Sequence, residues 1–539
     1  MRPDLVPVEA IGIEGGMVAA AGTLDEVRAA MPPGTPERRL DRGAVLPAFI
    51  DPHLHAYLVA TDPHTNALLR RARDIRGLVD LVGTLAAAEP EDPGAGRWLR
   101  YHGYEPLLLA EHRSPTAAEL DRVVSDRPLH VQSRTYHESA VNSAGLDALG
   151  IGRTTVDPPG GRILRDRRGR PTGVLLESAS FAAEARSGRE DAPDPAAWRS
   201  RLEAFGRRLL SLGITRIGDA AVPAAVASAF VEILASAGVE AHPLLVGSRI
   251  DEPAILPGAT AKVLIDGGEF CHLCMTGSQL RSLMTGSFRA NTGPEGGVSR
   301  AVGMRTGFPR READGRWHTG LRFPTQAGFA ELLRSAAEAG AALAVHAVGN
   351  GAVETVLRER DADRGLAARV PLRVEHAMVL EERQARALGA ASLPVVAQPS
   401  FLVTTGHELT IAPMPRPLRL MPLRMLRESG VTLAFSSDYP ATPLEPWASI
   451  ATAIDRRDAT GKAIEPDQAL DLAAAIDAQT RGAANALGLV GAGTLEVGMA
   501  ADLAWWDRDP VGLIPADLPG LVALETWRAG QPVHVRPAG

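Results

Sequence analysis

Eight short apolar runs recur through the middle of this chain, most of them separated by stretches of helical periodicity. They are Val45–Ile50, Ile214–Ala220, Ala241–Val246, Lys262–Asp266, Leu343–Val348, Leu372–His376, Pro394–Gln398 and Thr432–Ser437. Strands that alternate with helices form a parallel sheet. Eight of them predict a (β/α)8 TIM barrel, whose chemistry lies at the C-terminal strand ends. The gap between the first two strands is too long for a loop, so residues 61–205 are expected to form an inserted α/β subdomain. It carries its own strand at Leu129–Gln132 and a hairpin from Gly160 to Val174. Both ends of the chain have the alternation and turns of β structure. Residues 1–47 with 485–539 are therefore expected to build a small β-sandwich, leaving 48–60 with 206–484 for the barrel. Trp505 and Trp506 read as core of that small domain or as packing between domains, not as site residues. A second long excursion, about Gly267 to Leu321, follows the fourth strand with weak periodicity and reads as a lid or a plain surface excursion.

Ionisable residues close four of the runs. Asp51-Pro52-His53-Leu54-His55 ends the first, His346 the fifth, His376 the sixth and Asp438 the eighth. Side chains alternate faces along a strand, so His53 and His55 project to one side. Four imidazoles and a carboxylate at one end of a barrel suit a divalent metal, zinc first among them, as one or two ions. Zinc lowers the pKa of bound water to ~7, which makes hydroxide available at neutral pH. Any one histidine in an apolar strand is more often a hydrogen-bonded core residue. An ordered set of five is poorly explained that way. His407, near the seventh strand end, is a weaker candidate, and His64, His102, His112 and His318 read as loop or surface residues.

Lysine is nearly absent. Of 57 Lys and Arg residues only Lys262 and Lys462 are lysines, and Lys262 lies inside the apolar run Ala261–Ile265. Burying a primary amine is costly. Its reaction with carbon dioxide would give a carboxylated Lys262, an anionic ligand able to bridge two metals. The plainer alternative is a strand lysine that snorkels to the surface or pairs with Asp266.

Composition narrows the partners. A net charge of −7 gives no basic footprint for nucleic acid. No stretch is long and apolar enough to cross a membrane. Met1–Ala10 lacks a basic region followed by an apolar core, so the cytoplasm is the expected compartment. Two cysteines in 539 residues argue against a disulfide framework. Cys271 and Cys274 have the C-x2-C spacing, but a structural zinc site would want a second such pair, and the chain has none.

Taken together these residues resemble amidohydrolase family 3, the branch that includes N-substituted formamide deformylases. Leu46-Pro47-Ala48-Phe49-Ile50-Asp51-Pro52-His53-Leu54-His55 resembles its first-strand signature. Asn142-Ser143 and Gly173–Glu177 resemble marks of its insertion, and Lys262 with Asp266-Gly267 its fourth-strand lysine. His346–Asn350, Glu375-His376-Ala377, Gln398-Pro399 and Ser437-Asp438 resemble its later strand ends. The resemblance also places a histidine at His137, so Tyr136 and His137 are expected to meet substrate. It implies hydrolysis of an amide-type C–N bond of a small molecule. His53, His55, His346, His376, Lys262 and Asp438 would be the metal ligands, Asp438 would act as general acid and base, and His376 would hold metal or polarise the carbonyl. A mononuclear deaminase and an ester or lactone hydrolase are alternatives on the same barrel. A barrel that binds a ligand without turnover is the reading from a different class. A homodimer is the expected assembly.

Overall fold

The computed structural model describes residues 7–61, 66–89, 97–188, 194–268, 271–292, 308–410 and 414–537. Its centre is a nearly closed barrel of eight parallel strands. In chain order these are Phe49–Leu54, Ile214–Pro223, Glu240–Val246, Thr260–Leu264, Ala342–Ala347, Leu372–His376, Val395–Ala397 and Leu433–Phe435. Neighbours in sequence are neighbours in the sheet. First and last strands meet through three contacts near the candidate ligands. The Asp438 N–H donates to the His53 carbonyl (2.8 Å), the His55 N–H to the Tyr439 carbonyl (2.9 Å), and the Ser437 N–H to the Asp51 carboxylate (3.2 Å).

The run Val45–Ile50 does not form one strand, as expected from its unbroken apolarity. It divides at Ala48. Ala44–Pro47 pairs antiparallel with Leu503–Trp506, whereas Phe49–Leu54 enters the barrel. An apolar run cannot reveal which of two sheets each half joins. The resulting four-stranded sheet combines this one early strand with Leu503–Trp506, Ala523–Arg528 and Gln531–Val535 from the far end. A separate hairpin, Ala10–Glu14 with Met17–Gly22, packs Val18, Ile11 and Ile13 with Leu495, Leu503 and Trp527.

Trp506 joins this sheet to the barrel. It is 1% exposed, and its ring lies 5.3 Å from Phe49 and 5.2 Å from Trp447, centroid to centroid. A side chain at Gly213 would come within 2.8 Å of the indole, and its φ of +76° also favours glycine there. Trp506→Ala is expected to cost ~3–5 kcal/mol through the cavity it leaves. Chemical denaturation would read this as an earlier first transition, and an unchanged midpoint would contradict it.

Between the first and second barrel strands lies a five-stranded sheet with mixed pairing. It contains Leu129–Ser133 and the hairpin Gly161–Arg165 with Pro171–Glu177, close to where the sequence places them. After the fourth barrel strand, the described residues form a small antiparallel sheet, Leu273–Met275 with Trp317–Thr319 and Arg310–Arg311, and a helix, Gly277–Thr292. That helix escapes a periodicity reading because small and polar residues interrupt its apolar face. The remainder of the expected lid, residues 269–270 and 293–307, lies outside the described residues.

Candidate metal centre

Strand ends bring the four strand-end histidines into one cluster. Ring centroids are 5.5 Å apart for His53 and His55, 5.0 Å for His53 and His376, and 4.5 Å for His346 and His376. Asp438 joins them: its Oδ1 lies 3.1 Å from His55 Nε2 and 3.5 Å from His53 Nε2. His53, His55 and Asp438 each offer a ligand atom within 4.8 Å of the others. Two of the strand ends are bent to do this. His376 has φ +73° and Asp438 φ +51°, in the left-handed region that non-glycine residues seldom occupy. Such strain is tolerated where surrounding structure enforces it, and it gathers at functional sites.

Hydrogen bonds fix two of the ring tautomers. His53 Nδ1 lies 2.5 Å from Glu375 Oε2, and a carboxylate can only accept, so Nδ1 carries the proton and Nε2 is bare. Glu375 is held ionised. Burial alone would raise its carboxyl, but Arg373, His53 and Lys262 outweigh burial and keep it well below the usual range. Arg373 Nε donates to Glu375 at 2.5 Å, and its other nitrogens donate to the carbonyls of Pro52 and Ala486. His376 Nδ1 lies 2.8 Å from Gln398 Oε1. The Gln398 amide is oriented by its own donation to the Val396 carbonyl and Ser436 hydroxyl, so it accepts from His376 and leaves Nε2 bare. Burial first, then neighbouring cationic groups, lowers His53 to about 4 and His376 to about 3, and His346 falls well below its ordinary value. The rings are therefore neutral at neutral pH, which is the state that binds a metal.

The residues fit a divalent cation. Among the described residues, the buried His346 Nε2 and His376 Nε2 have no hydrogen-bond partner. Leaving such atoms unsatisfied costs ~1–3 kcal/mol each. A cation bound by imidazole nitrogens and a carboxylate offsets that cost, and this donor set suits zinc. Asp438 is kept ionised despite burial, because His53, His55 and His376 stabilise its charge.

Lys262 does not snorkel and does not pair with Asp266. It is 2% exposed, with Nζ 3.4 Å from His53 Nε2. Among the described residues it has no carboxylate within ion-pair distance. Burial lowers its amine to about 8, against the opposing pull of Glu375 and Asp438. The Asp266 carboxylate is occupied elsewhere: it accepts the backbone N–H groups of Val348, Gly349 and His272 at 2.8–2.9 Å.

His137 reaches the cluster from the inserted sheet. Its ring lies 5.3 Å from that of His346, and its Nδ1 is 2.6 Å from Glu177 Oε2. Tyr136 is buried, 6.4 Å from the His55 ring and stacked at 4.3 Å on His102. His102 and His318 are thus not surface residues, as their surroundings in sequence suggest. Both are buried, His102 on the edge strand Leu99–Tyr104 of the inserted sheet and His318 beside His272. His407 stands apart on the helix Phe401–Leu409, near Asp458, and His64 lies outside the described residues.

Sequence reasoning missed Glu375 and Glu177 as partners of ring nitrogens. A signal for the first was present: Arg373 and Glu375 alternate in an otherwise apolar strand, and two opposite charges on one inner face require burial as a pair. Partners of this kind orient a ligating ring. Glu375→Gln is expected to weaken cation affinity by ~10–100-fold. Competition with a chelating dye would measure it, and unchanged affinity would show that His53 needs no such partner.

The sequence profile of the amidohydrolase family matches residues 40–534. The chain is 28% identical to the N-substituted formamide deformylase of Arthrobacter pascens, over 97% of this chain and 94% of that protein. Crystal structures of metal-dependent hydrolases from Pyrococcus horikoshii and Pyrococcus furiosus share the fold. Their TM-scores are 0.63 and 0.62 at 20% and 22% identity, covering 94% of this chain and 95% and 96% of theirs. With a family match across nearly its whole length and a histidine and carboxylate cluster at the mouth of its barrel, the chain belongs to the amidohydrolase family.

Proposed function

We propose that the protein is a metal-dependent hydrolase that cleaves an amide-type C–N bond of a small molecule. The observation that carries this reading is the cluster of His53, His55 and Asp438 where the barrel closes, with bare imidazole nitrogens beside it. Its likeness to a protein named N-substituted formamide deformylase points to the bond class. His53, His55 and Asp438 would hold one cation. His346 and His376 would hold a second, with Lys262 between the two groups as a carbamate. Addition of carbon dioxide to the neutral amine of Lys262 forms that carbamate and releases one proton. A bound divalent cation supplies Lewis acidity, towards water and towards the carbonyl of the substrate.

The chain's own residues do the rest. Asp438, buried and anionic, takes the proton of the attacking water and passes it to the leaving nitrogen. One carboxylate serves both transfers because the tetrahedral stage separates them in time. Glu375 and Gln398 hold the His53 and His376 rings in the tautomers described above. His137, oriented by Glu177, and Tyr136 face the substrate from the inserted sheet.

One observation favours a second reading with a single cation: His53, His55 and Asp438 are grouped without His346 or His376. A mononuclear deaminase would use that arrangement and leave Lys262 as a plain amine. The test is turnover by metal-loaded protein of N-substituted formamides, other small amides, amidine-type deaminase substrates and simple esters. Release of amine from amides supports the proposal. Activity on amidines alone, or on esters alone, would replace it, and no turnover of any would favour a binding barrel.

A further inference from the structure

A second group of metal-binding side chains lies outside the barrel mouth. Cys274, Asp314 and His318 place a sulfur, an oxygen and a nitrogen within 4.8 Å of one another. Sγ of Cys274 is 3.8 Å from His318 Nε2, and that nitrogen is 2.9 Å from Asp314 Oδ2. Tetrahedral zinc, with bonds of ~2.3 Å to sulfur and ~2.0 Å to nitrogen, sets those two ligands about 3.5 Å apart. Cys274 and His318 are paired across the small antiparallel sheet and are 4% and 9% exposed. The Cys274 backbone is fixed on both sides by Asn350, which accepts from its N–H (3.0 Å) and donates to its carbonyl (2.8 Å).

The surroundings of His318 have the form of support for a ligating ring. Its Nδ1 lies 2.8 Å from His272 Nε2, and His272 Nδ1 lies 3.0 Å from the Gln326 amide. As placed, Gln326 Nε2 donates to His272, so each ring in turn passes a hydrogen bond outward and His318 Nε2 carries a proton. Turning the amide over, with heavy atoms unmoved, reverses the chain. His318 Nδ1 then donates to His272, His272 donates to Gln326, and His318 Nε2 is bare between the thiol and the carboxylate. As placed, Gln326 Nε2 also donates to Thr355 Oγ1 (2.8 Å), whose hydroxyl donates to the Gly351 carbonyl; turned over, the amide oxygen accepts from that hydroxyl instead. Without a cation Asp314 accepts from His318 Nε2–H; a cation bound at Nε2 would select the reversed chain.

We infer that Cys274, Asp314 and His318 form a second zinc site, with a water as fourth ligand and His272 as the ring's support. Of the C-x2-C pair only Cys274 takes part, and its fellow ligands are a histidine and an aspartate, not a second cysteine pair. On loading, the Cys274 thiol gives its proton to solvent and binds as thiolate. The site joins the start of the excursion after the fourth strand to its end, closing a long loop, where a clip stabilises most. The same segment is tied to the barrel mouth, since His272 N–H donates to Asp266 and the Gly351 N–H donates to the His272 carbonyl. This site and the barrel cluster share no ligand.

Cobalt(II) added to chelator-stripped full-length protein tests the inference. The barrel cluster has no sulfur, and the chain has only Cys271 and Cys274. A thiolate-to-cobalt charge-transfer band in the near ultraviolet is therefore expected. It should survive Cys271→Ser and His55→Ala, vanish in Cys274→Ser, and be displaced by zinc. The wild-type spectrum decides even if a variant fails to fold. Absence of the band from wild-type protein, or its persistence in Cys274→Ser, would overturn the site. Loss of activity in His55→Ala with the band intact would concern the barrel alone.

Discussion

Asp438→Asn is expected to retain its metal while kcat falls by ~10²–10⁴-fold, the range contributed by a positioned acid or base. Asparagine keeps the shape and one oxygen, so the site can still fill, but it cannot accept the proton. Asp438 is suited to the part by position: 7% exposed, at a strained strand end, with its N–H bonded to the His53 carbonyl. Its fixed backbone keeps Oδ1 beside both histidines of the first strand. The measurement pairs metal content with steady-state turnover on the same preparation. Full activity in a metal-loaded variant would remove Asp438 as the acid and base group.

Lys262→Ala is expected to lose one of two cations at the barrel mouth and ~10–100-fold in activity, the scale on which groups that tune a metal act. Because the proposed ligand is an anionic oxygen pair and not the amine itself, a short carboxylate such as acetate or propionate, added to Lys262→Ala, should restore part of both. Lys262→Arg keeps charge and bulk yet cannot form a carbamate. It should behave like the alanine variant without being rescued. If Lys262→Ala keeps its full metal content and activity, the lysine is a structural amine, and the single-cation reading gains.

Much of the barrel is legible in the sequence because its strands are buried on both faces and read as apolar runs. Leu372–His376 is found at its observed limits, and most other runs differ by a residue or two at their ends. His53 and His55 are legible because a strand's period of two puts both on one face. Lys262 is legible because the chain otherwise avoids lysine. The division at Ala48 is not, since both halves of that run are equally apolar and only tertiary pairing separates them. Neither is the Glu375–His53 pair, whose partners are far apart in sequence and meet only across the interior of the assembled barrel. His318 was hidden for a related reason: a histidine between polar turns looks exposed until the sheet that buries it is assembled.

Metal stoichiometry by plasma mass spectrometry counts the cations at the barrel mouth. The protein should be purified without chelator, in the Cys274→Ser background so that only the barrel mouth is counted. About two equivalents of a divalent cation are expected, falling to about one in Lys262→Ala. No cation above background, even after reconstitution with zinc or manganese, would contradict a metal-dependent hydrolase.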